Sequence, residues 1–140
     1  MVSPGYMLDT SVCIELLRRP SNAPQARLRA EQRRIHLSTV ALAELLVGPL
    51  KLGGRGQEDV EALVTRLTVV PFDQAAAEHA ADVRATLERA GRPIGPYDVQ
   101  IAGHARSLGL VLVTRNLREF ARVEGLWCED WYAPVQGFSE

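Results

Sequence analysis

Short, continuous apolar stretches recur along this chain, and each is followed by a longer stretch with helical periodicity. The apolar stretches have the length of strands and lie at residues 6–9, 35–38, 68–72 and 110–114, with a final candidate at 126–130. Continuous apolar runs are typical of strands that are covered on both faces, as in a parallel sheet between layers of helices. The alternation therefore predicts an α/β sandwich with a mainly parallel sheet.

The segments between these stretches have the spacing of amphipathic helices. We predict helices at residues 11–19, 21–34, 39–51, 58–67, 73–91, 97–108 and 117–122. Pro20 and Gly91 mark two of the helix ends, and the glycine-rich residues 53–57 predict a loop that is the most flexible of the chain. Because no repeat or linker interrupts the pattern, we expect residues 1–140 to form a single domain.

Composition excludes several classes of protein. The chain is 46% hydrophobic and 24% charged, and no apolar run approaches the ~20 residues of a membrane span. Its net charge of −1 gives no overall positive field that would attract nucleic acid. The start MVSPGYML lacks the pattern of a secretory signal, so we expect a cytoplasmic protein without a membrane partner.

The cysteines and histidines of the chain do not have the spacing of a zinc site or of a disulfide framework. Cys13 and Cys128 lie far apart in the sequence, which favours reduced thiols. The histidines His36, His79 and His104 are scattered without partners at ligand spacing, so we expect each at the surface or in ordinary packing.

Two polar residues end predicted strands. Asp9 follows the first strand and Thr114 follows the fourth. Ligands of open α/β sheets bind at the carboxyl ends of the strands, so the fold brings both residues toward one crevice. A simpler explanation of Asp9 alone is that it caps the helix that begins after it.

Two further acids lie where an ordinary surface acid is not expected. Glu44 has only Val40, Ala41, Val47 and Gly48 as helical neighbours, which predicts a carboxylate on an apolar stripe. Burying a carboxylate costs several kcal/mol unless a cation or hydrogen-bond donors compensate.

Asp98 lies in the first turn of the predicted helix at residues 97–108 and shares its face with Ile101, Ala102 and Ala105. The helix dipole explains an acid in the first turn, but it does not explain an acid that faces the core. Glu119 has two interpretations. Together with Asn116 it has the spacing of a capping box, and it is also a candidate acid of the site.

Several carboxylates in one crevice require a cation. Two carboxylates about 4 Å apart repel by roughly 4 kcal/mol at an effective dielectric near 20. Oxygen ligands without histidine or cysteine select a hard ion, Mg²⁺ or Mn²⁺. Such an ion with open coordination positions is suited to the hydrolysis of phosphodiesters.

Three segments resemble a known family, in order and over nearly the whole chain. They are YMLDTSVCIELLRR, STVALAELLVG and GRPIGPYDVQIAGHARSLGLVLVTRNLREFARVEGLWCEDW. Together they resemble a PIN domain, specifically the VapC-type toxin ribonucleases of prokaryotic toxin–antitoxin operons. The resemblance implies a single α/β/α sandwich with a mainly parallel central sheet of four to five strands, and a metal-dependent endoribonuclease.

The resemblance also assigns roles by position. It implies that Asp9, Glu44 and Asp98 are the metal ligands and that Thr114 is the family's hydroxyl residue at the site. Where many members have an aspartate, this chain has Asn116, and it carries Glu119 three residues later, as other members do. Since asparagine brings no charge, this departure favours one well-occupied ion over two.

The resemblance further implies the partners of the protein. They are a structured RNA substrate such as transfer or ribosomal RNA, a second copy of the chain in a homodimer, and a cognate antitoxin. The antitoxin is expected at ALAELLVGPLKL and the glycine loop after it. Arg115 and Arg118 are the candidates for contacts to RNA phosphates.

Other readings remain open at the level of sequence. A PIN-like domain that binds RNA or protein without cutting is compatible with Asn116. A receiver-type signalling domain also holds Mg²⁺ at a strand end, but it needs a lysine after a late strand, and the only lysine here is Lys51. A haloacid-dehalogenase-type phosphatase would have an aspartate where this chain has Ser11.

Overall fold

A five-stranded parallel sheet forms the centre of the structure, a computed structural model that describes residues 5–18 and 23–132. The strands lie in the order β3-β2-β1-β4-β5, and every neighbouring pair is parallel. Their bounds are β1 Tyr6–Leu8, β2 Ile35–Ser38, β3 Thr68–Val70, β4 Val111–Val113 and β5 Cys128–Glu129. The predicted α/β/α sandwich with a mainly parallel sheet is confirmed.

Seven α-helices occupy the described ranges around this sheet. They are α1 Thr10–Arg18, α2 Ala23–Glu31, α3 Thr39–Lys51, α4 Gln57–Val64, α5 Gln74–Arg89, α6 Pro96–Leu108 and α7 Leu117–Phe120. The helix predicted at residues 21–34 is shorter, because its last turn tightens into a 3₁₀-helix at Gln32–Arg34, while residues 19–22 lie outside the described ranges. No helix in the described part of the chain has the length and apolarity needed to cross a bilayer.

The order of the strands places β1 in the middle of the sheet. The chain moves from β1 through β2 to β3 on one side, and then crosses to β4 and β5 on the other. Tyr6 pairs with both Ile35 and Val111, and Met7 and Leu8 are completely buried. The direction of winding reverses between β1 and β4, and ligands of open α/β sheets bind at such a switch point. Asp9 and Thr114 follow these two strands.

Helices α5 and α6 pack against each other at very short range through Gly103. A Cβ atom placed on Gly103 would lie 2.5 Å from the Cα and 2.9 Å from the Cβ of Ala80, and even closer to its amide nitrogen. Only a residue without a side chain permits this approach. The contact sets the position of α6, which carries Asp98 in its first turn.

Candidate active site

Asp9 is anchored at the carboxyl end of β1 by both its backbone and its side chain. Its backbone N–H donates to the carbonyl of Val113 at 2.9 Å, and its carbonyl accepts the N–H of Val12 at 3.0 Å at the start of α1. Asp9 is 5% exposed, and its Oδ2 accepts hydrogen bonds from the hydroxyls of Ser11 at 2.9 Å and Thr114 at 2.8 Å. The sequence alternative of a simple helix cap therefore accounts for the backbone of Asp9 but not for its side chain.

Burial raises the pKa of Asp9 above its ordinary value. The hydroxyls of Thr114 and Ser11 and the backbone N–H of Thr10 oppose that rise, and the negative charge of Glu119 adds to it. A buried carboxylate held by neutral donors, with a second acid nearby, keeps a strong attraction for a cation.

Thr114 links the two central strands. It is completely buried after β4, its backbone N–H donates to Glu129 at 2.9 Å, and its hydroxyl accepts the N–H of Asn116 at 3.0 Å while donating to Asp9. Asp9 and Thr114 are thus in direct contact at the carboxyl ends of β1 and β4, as the predicted fold led us to expect.

Glu44 reaches the same end of the sheet from α3. The hydroxyl of Thr10 donates to its Oε1 at 2.7 Å, which is the compensation that the sequence led us to expect. The predicted apolar stripe is wrong in part, since Val47 and Gly48 are exposed and Glu44 itself is half-buried. α3 turns only its Ala41, Leu45 and Pro49 side into the core, so Glu44 lies at the boundary between core and crevice.

Asp98 is the acid that interacts with each of the other three acids of the site. Partial burial, a hydrogen bond with Glu119 and the negative charges of Glu119, Asp9 and Glu44 raise its pKa to about 7. Val99, Ile101 and Ala102, which follow it on α6, are buried, so α6 directs its first turn toward the sheet. Four carboxylates from four different elements thus act on one another, although they are far apart in sequence.

Asn116 and Glu119 do not form the capping box that one interpretation of the sequence predicted. Neither side chain caps the backbone of α7. The amide of Asn116 instead donates to Oε1 of Glu119 at 2.7 Å, while its backbone N–H bonds to Thr114. The short helix α7 therefore holds Glu119 beside Asp98 instead of using it to close its own end.

The two arginines predicted to contact phosphates differ in their surroundings. Arg115 lies 3.5 Å from a carboxylate oxygen of Glu15 and stacks on the ring of Tyr132, with 4.3 Å between its guanidinium carbon and the ring centroid. Arg118 is exposed on α7, and no hydrogen bond or ion pair engages it among the described residues. Arg118 is therefore the more available cation at this edge of the sheet.

The carboxylates of Asp9, Glu44 and Asp98 fit a hard divalent cation in ligand type, although they are not arranged as a complete coordination site. Within residues 5–18 and 23–132, no three acidic, histidine or cysteine side chains stand close enough together to hold an ion as they lie. The acids instead engage hydroxyl and amide donors, and Asp98 shares a hydrogen bond with Glu119. All candidate ligand atoms are oxygens, which matches Mg²⁺ and Mn²⁺, and binding would require rearrangement of these side chains and loss of the proton between Asp98 and Glu119.

The shared proton predicts an unusual pH dependence of stability in metal-free protein. The pKa of Asp98 is about 7 in the folded state against an ordinary value of 3.8, so the folded state binds more protons between these values. Stability from this group is therefore greatest below pH 4 and falls as the pH rises to 7. We expect the difference in melting temperature between Asp98→Asn and wild type, measured in EDTA, to grow in favour of the variant over this range. A difference that stays constant with pH would contradict the assignment.

Several residues of the site were not identified from the sequence. Thr10 and Ser11 orient Glu44 and Asp9, and Glu15 holds Arg115. The hydroxyls of Thr10 and Ser11 directly follow Asp9 in the chain, which is a signal that could have indicated them. The contact between Thr10 and Glu44 spans 34 positions and could not be deduced without the tertiary structure.

Comparison with known proteins agrees with this geometry. Residues 6–126 match the family model for the PIN domain. The chain is 44% identical over 128 residues to the tRNA(fMet)-specific endonuclease VapC of Shigella flexneri, covering 90% of this chain and 97% of that protein. It is 37% identical over 128 residues, with the same coverage, to Ribonuclease VapC2 of Haemophilus influenzae.

Solved structures show the same relationship. The crystal structure of DNA-bound VapBC from Salmonella typhimurium contains a chain that superposes with a TM-score of 0.88 at 43% identity, over 92% of this chain and 99% of that one. A chain in the structure of VapBC2 from Rickettsia felis bound to promoter DNA gives a TM-score of 0.80 at 30% identity, over 90% and 98% of the two chains. The protein therefore belongs to the PIN-domain family and, within it, to the VapC ribonucleases.

Proposed function

We propose that this chain is the toxin of a type II toxin–antitoxin pair and hydrolyses phosphodiester bonds in structured RNA with the help of a divalent cation. The observation that carries the proposal is the position of Asp98, which is hydrogen-bonded to Glu119 and lies near enough to Asp9 and Glu44 for all three negative charges to act on it. Four acids close together at the carboxyl ends of the central strands repel one another, and a bound cation would offset this repulsion. PIN-domain ribonucleases in general depend on divalent metals, which agrees with this donor set.

The residues that would hold the ion are Asp9, Glu44 and Asp98. When bound, Mg²⁺ or Mn²⁺ polarises the phosphate and lowers the pKa of a coordinated water. Around it, Thr114 and Ser11 hold the carboxylate of Asp9 in one orientation, and Thr10 does the same for Glu44. Such supporting hydrogen bonds keep the ligands in place while RNA binds.

Glu119 and Asn116 complete the proposed site. The amide of Asn116 orients the carboxylate of Glu119 at 2.7 Å. Glu119 lies on the short helix α7 next to the exposed Arg118, and we assign it the acceptance of a proton from the attacking water. Arg118, and Arg115 after release from Glu15, would contact the phosphates on either side of the scissile bond.

Transfer RNA is the substrate class to test first. Two relatives, 44% and 43% identical to this chain, are named tRNA(fMet)-specific endonucleases. The net charge of −1 means that affinity cannot come from a general basic field, so recognition must depend on local contacts and on the shape of the RNA. Ribosomal RNA is the second class.

The proposed partners follow from the solved relatives, which are complexes named VapBC. The end of α3 exposes apolar side chains, with Val47 48%, Leu50 66% and Leu52 57% exposed. A solvent-exposed apolar group of this kind is typical of a protein interface, and we propose it as the antitoxin contact. A homodimer in the cytoplasm is the proposed state of the toxin itself.

The direct test is cleavage of purified transfer RNA and of total RNA with Mg²⁺, with Mn²⁺ and with EDTA. We expect discrete fragments that require metal and disappear with Asp9→Ala. If the folded wild-type protein binds metal yet leaves every RNA intact, the catalytic function is wrong and the alternative of a non-cleaving PIN-like binding module replaces it. Asn116, which lacks the charge that many family members have there, is the residue that favours this alternative.

Removal of the Thr114 hydroxyl tests the support of Asp9. Thr114→Val keeps the shape of the side chain but leaves Oδ2 of Asp9 with one hydroxyl donor instead of two. We expect cleavage to fall by about 10–100-fold, as is common when a group behind a metal ligand is lost. Single-turnover cleavage of transfer RNA at saturating metal measures this effect, and Thr65→Val on the exposed surface is the control. An unchanged rate would remove Thr114 from the site.

A further inference from the structure

Ser38 and His104 form a buried polar pair that the proposed chemistry does not use. The side chains are 0% and 1% exposed, and the hydroxyl oxygen of Ser38 lies 2.8 Å from Nδ1 of His104. They are two of five buried polar or charged residues in the described part of the chain, and Asp9 and Thr114 are two of the others. Buried polar groups cost free energy unless they are fully hydrogen-bonded, so the pair calls for an explanation.

Every hydrogen-bonding atom of the pair has a partner. The backbone N–H of Val40 donates to the oxygen of Ser38 at 3.1 Å, which leaves the Ser38 hydroxyl proton for Nδ1 of His104. The ring also hydrogen-bonds to the backbone of Pro71. Because proline has no N–H, its partner atom there is the carbonyl oxygen, which accepts the hydrogen bond. The neutral tautomer with its proton on Nε2 and an acceptor at Nδ1 satisfies both contacts. The ring of Phe72 packs edge-on against it at 5.5 Å.

The pair connects the two helices that carry proposed metal ligands. Ser38 is the N-cap of α3 and precedes Glu44 by six positions, and His104 follows Asp98 by six positions on α6. Six residues of helix span about 9 Å, so each proposed ligand lies roughly two helical turns from the hydrogen bond between Ser38 and His104, which we call the junction. The backbone N–H of Phe72 donates to the hydroxyl of Thr39 at 3.0 Å, which ties the β3–α5 loop to the same junction.

From this arrangement we infer that Ser38 and His104 are positioning residues that set the separation of Glu44 and Asp98, and thereby the affinity of the acidic site for a divalent cation. The inference rests on the proposed function, because it takes these two acids as ligands. An apolar pair would fill the same volume without the cost of burying polar atoms, but it would not define one registry between the helices. A fully satisfied buried network does so, because its hydrogen bonds are directional.

The test measures binding of Mn²⁺ alone, without RNA, by electron paramagnetic resonance of the free ion. Wild type is compared with Ser38→Ala, His104→Leu and His104→Asn, at a temperature where thermal unfolding shows that all are folded. The asparagine variant keeps an acceptor near the position of Nδ1. Val83→Ala, a buried truncation on α5 that removes no hydrogen bond of the Ser38–His104 pair, is the control for general loss of stability.

We expect His104→Leu and Ser38→Ala to raise the Kd for Mn²⁺ by about tenfold, the lower end of the range for groups that support metal ligands. His104→Asn should restore most of the affinity, and Val83→Ala should leave it unchanged. Equal affinities in wild type and His104→Leu, or an equal loss in Val83→Ala, overturn the inference and leave the proposed function intact. A wild-type protein that binds no Mn²⁺ overturns both.

Discussion

Replacement of Asp98 by asparagine is expected to reduce cleavage of RNA by more than about 100-fold, beyond the loss that removal of a supporting group causes. The variant keeps the size of the side chain and its place in the first turn of α6, and it removes the charge that a hard cation requires. The same substitution relieves repulsion, since three other acids act on Asp98 in the folded protein. The metal-free variant should therefore be more stable than wild type at pH 7 and above, while it is nearly inactive.

Opposite changes in activity and stability are the signature of a site that maintains like charges for function. Cleavage is measured with purified transfer RNA at saturating Mn²⁺, and the melting temperature is measured in EDTA. Asp59→Asn, an exposed acid in the first turn of α4, is the matched control: it should leave cleavage unchanged and should not raise the melting temperature. An active Asp98→Asn protein would remove this residue from the catalytic site, and a destabilised one would show that its charge is compensated in the metal-free fold.

Replacement of Gly103 by alanine is expected to destabilise the protein by roughly 3 kcal/mol, the upper part of the range for overpacking. The added methyl would lie within 2.9 Å of three atoms of Ala80, and two of these are backbone atoms that no side-chain rotation can move. α5 and α6 would have to separate along their contact. This cost exceeds the ~1 kcal/mol that alanine gains over glycine in a helix.

Thermal unfolding in EDTA measures the effect, and a fall in melting temperature of about 10 °C corresponds to this energy for a chain of this size. The double variant Gly103→Ala with Ala80→Gly provides an internal comparison. Ala80→Gly removes only one of the three close atoms, so it should not rescue the stability. A melting temperature of Gly103→Ala near that of wild type would show that the helices can separate at little cost.

The sequence was informative wherever structure depends on neighbours along the chain. Apolar runs gave all five strands to within a few residues, and α3 has the predicted bounds at residues 39–51. Prediction failed where a local signal had two meanings. Asn116 and Glu119 have the spacing of a capping box, yet their side chains bond to each other because Thr114 already accepts the N–H of Asn116. The spacing of Val47 and Gly48 around Glu44 suggested burial, but α3 lies at the surface on that side.

The sequence by itself determined the class of the fold, the end of each central strand and the polar residues Asp9 and Thr114 at those ends. It could do so because hydrophobic periodicity and strand direction are local properties that place strand ends at one edge of a sheet. Only the tertiary structure decided which donor serves which acid, as with Thr10 and Glu44, and how the acids change one another's pKa. It also revealed the pair of Ser38 and His104, which are separated by 66 positions. Hydrogen bonds and charge interactions depend on distances of a few ångströms between atoms, and those distances exist only after the helices have packed.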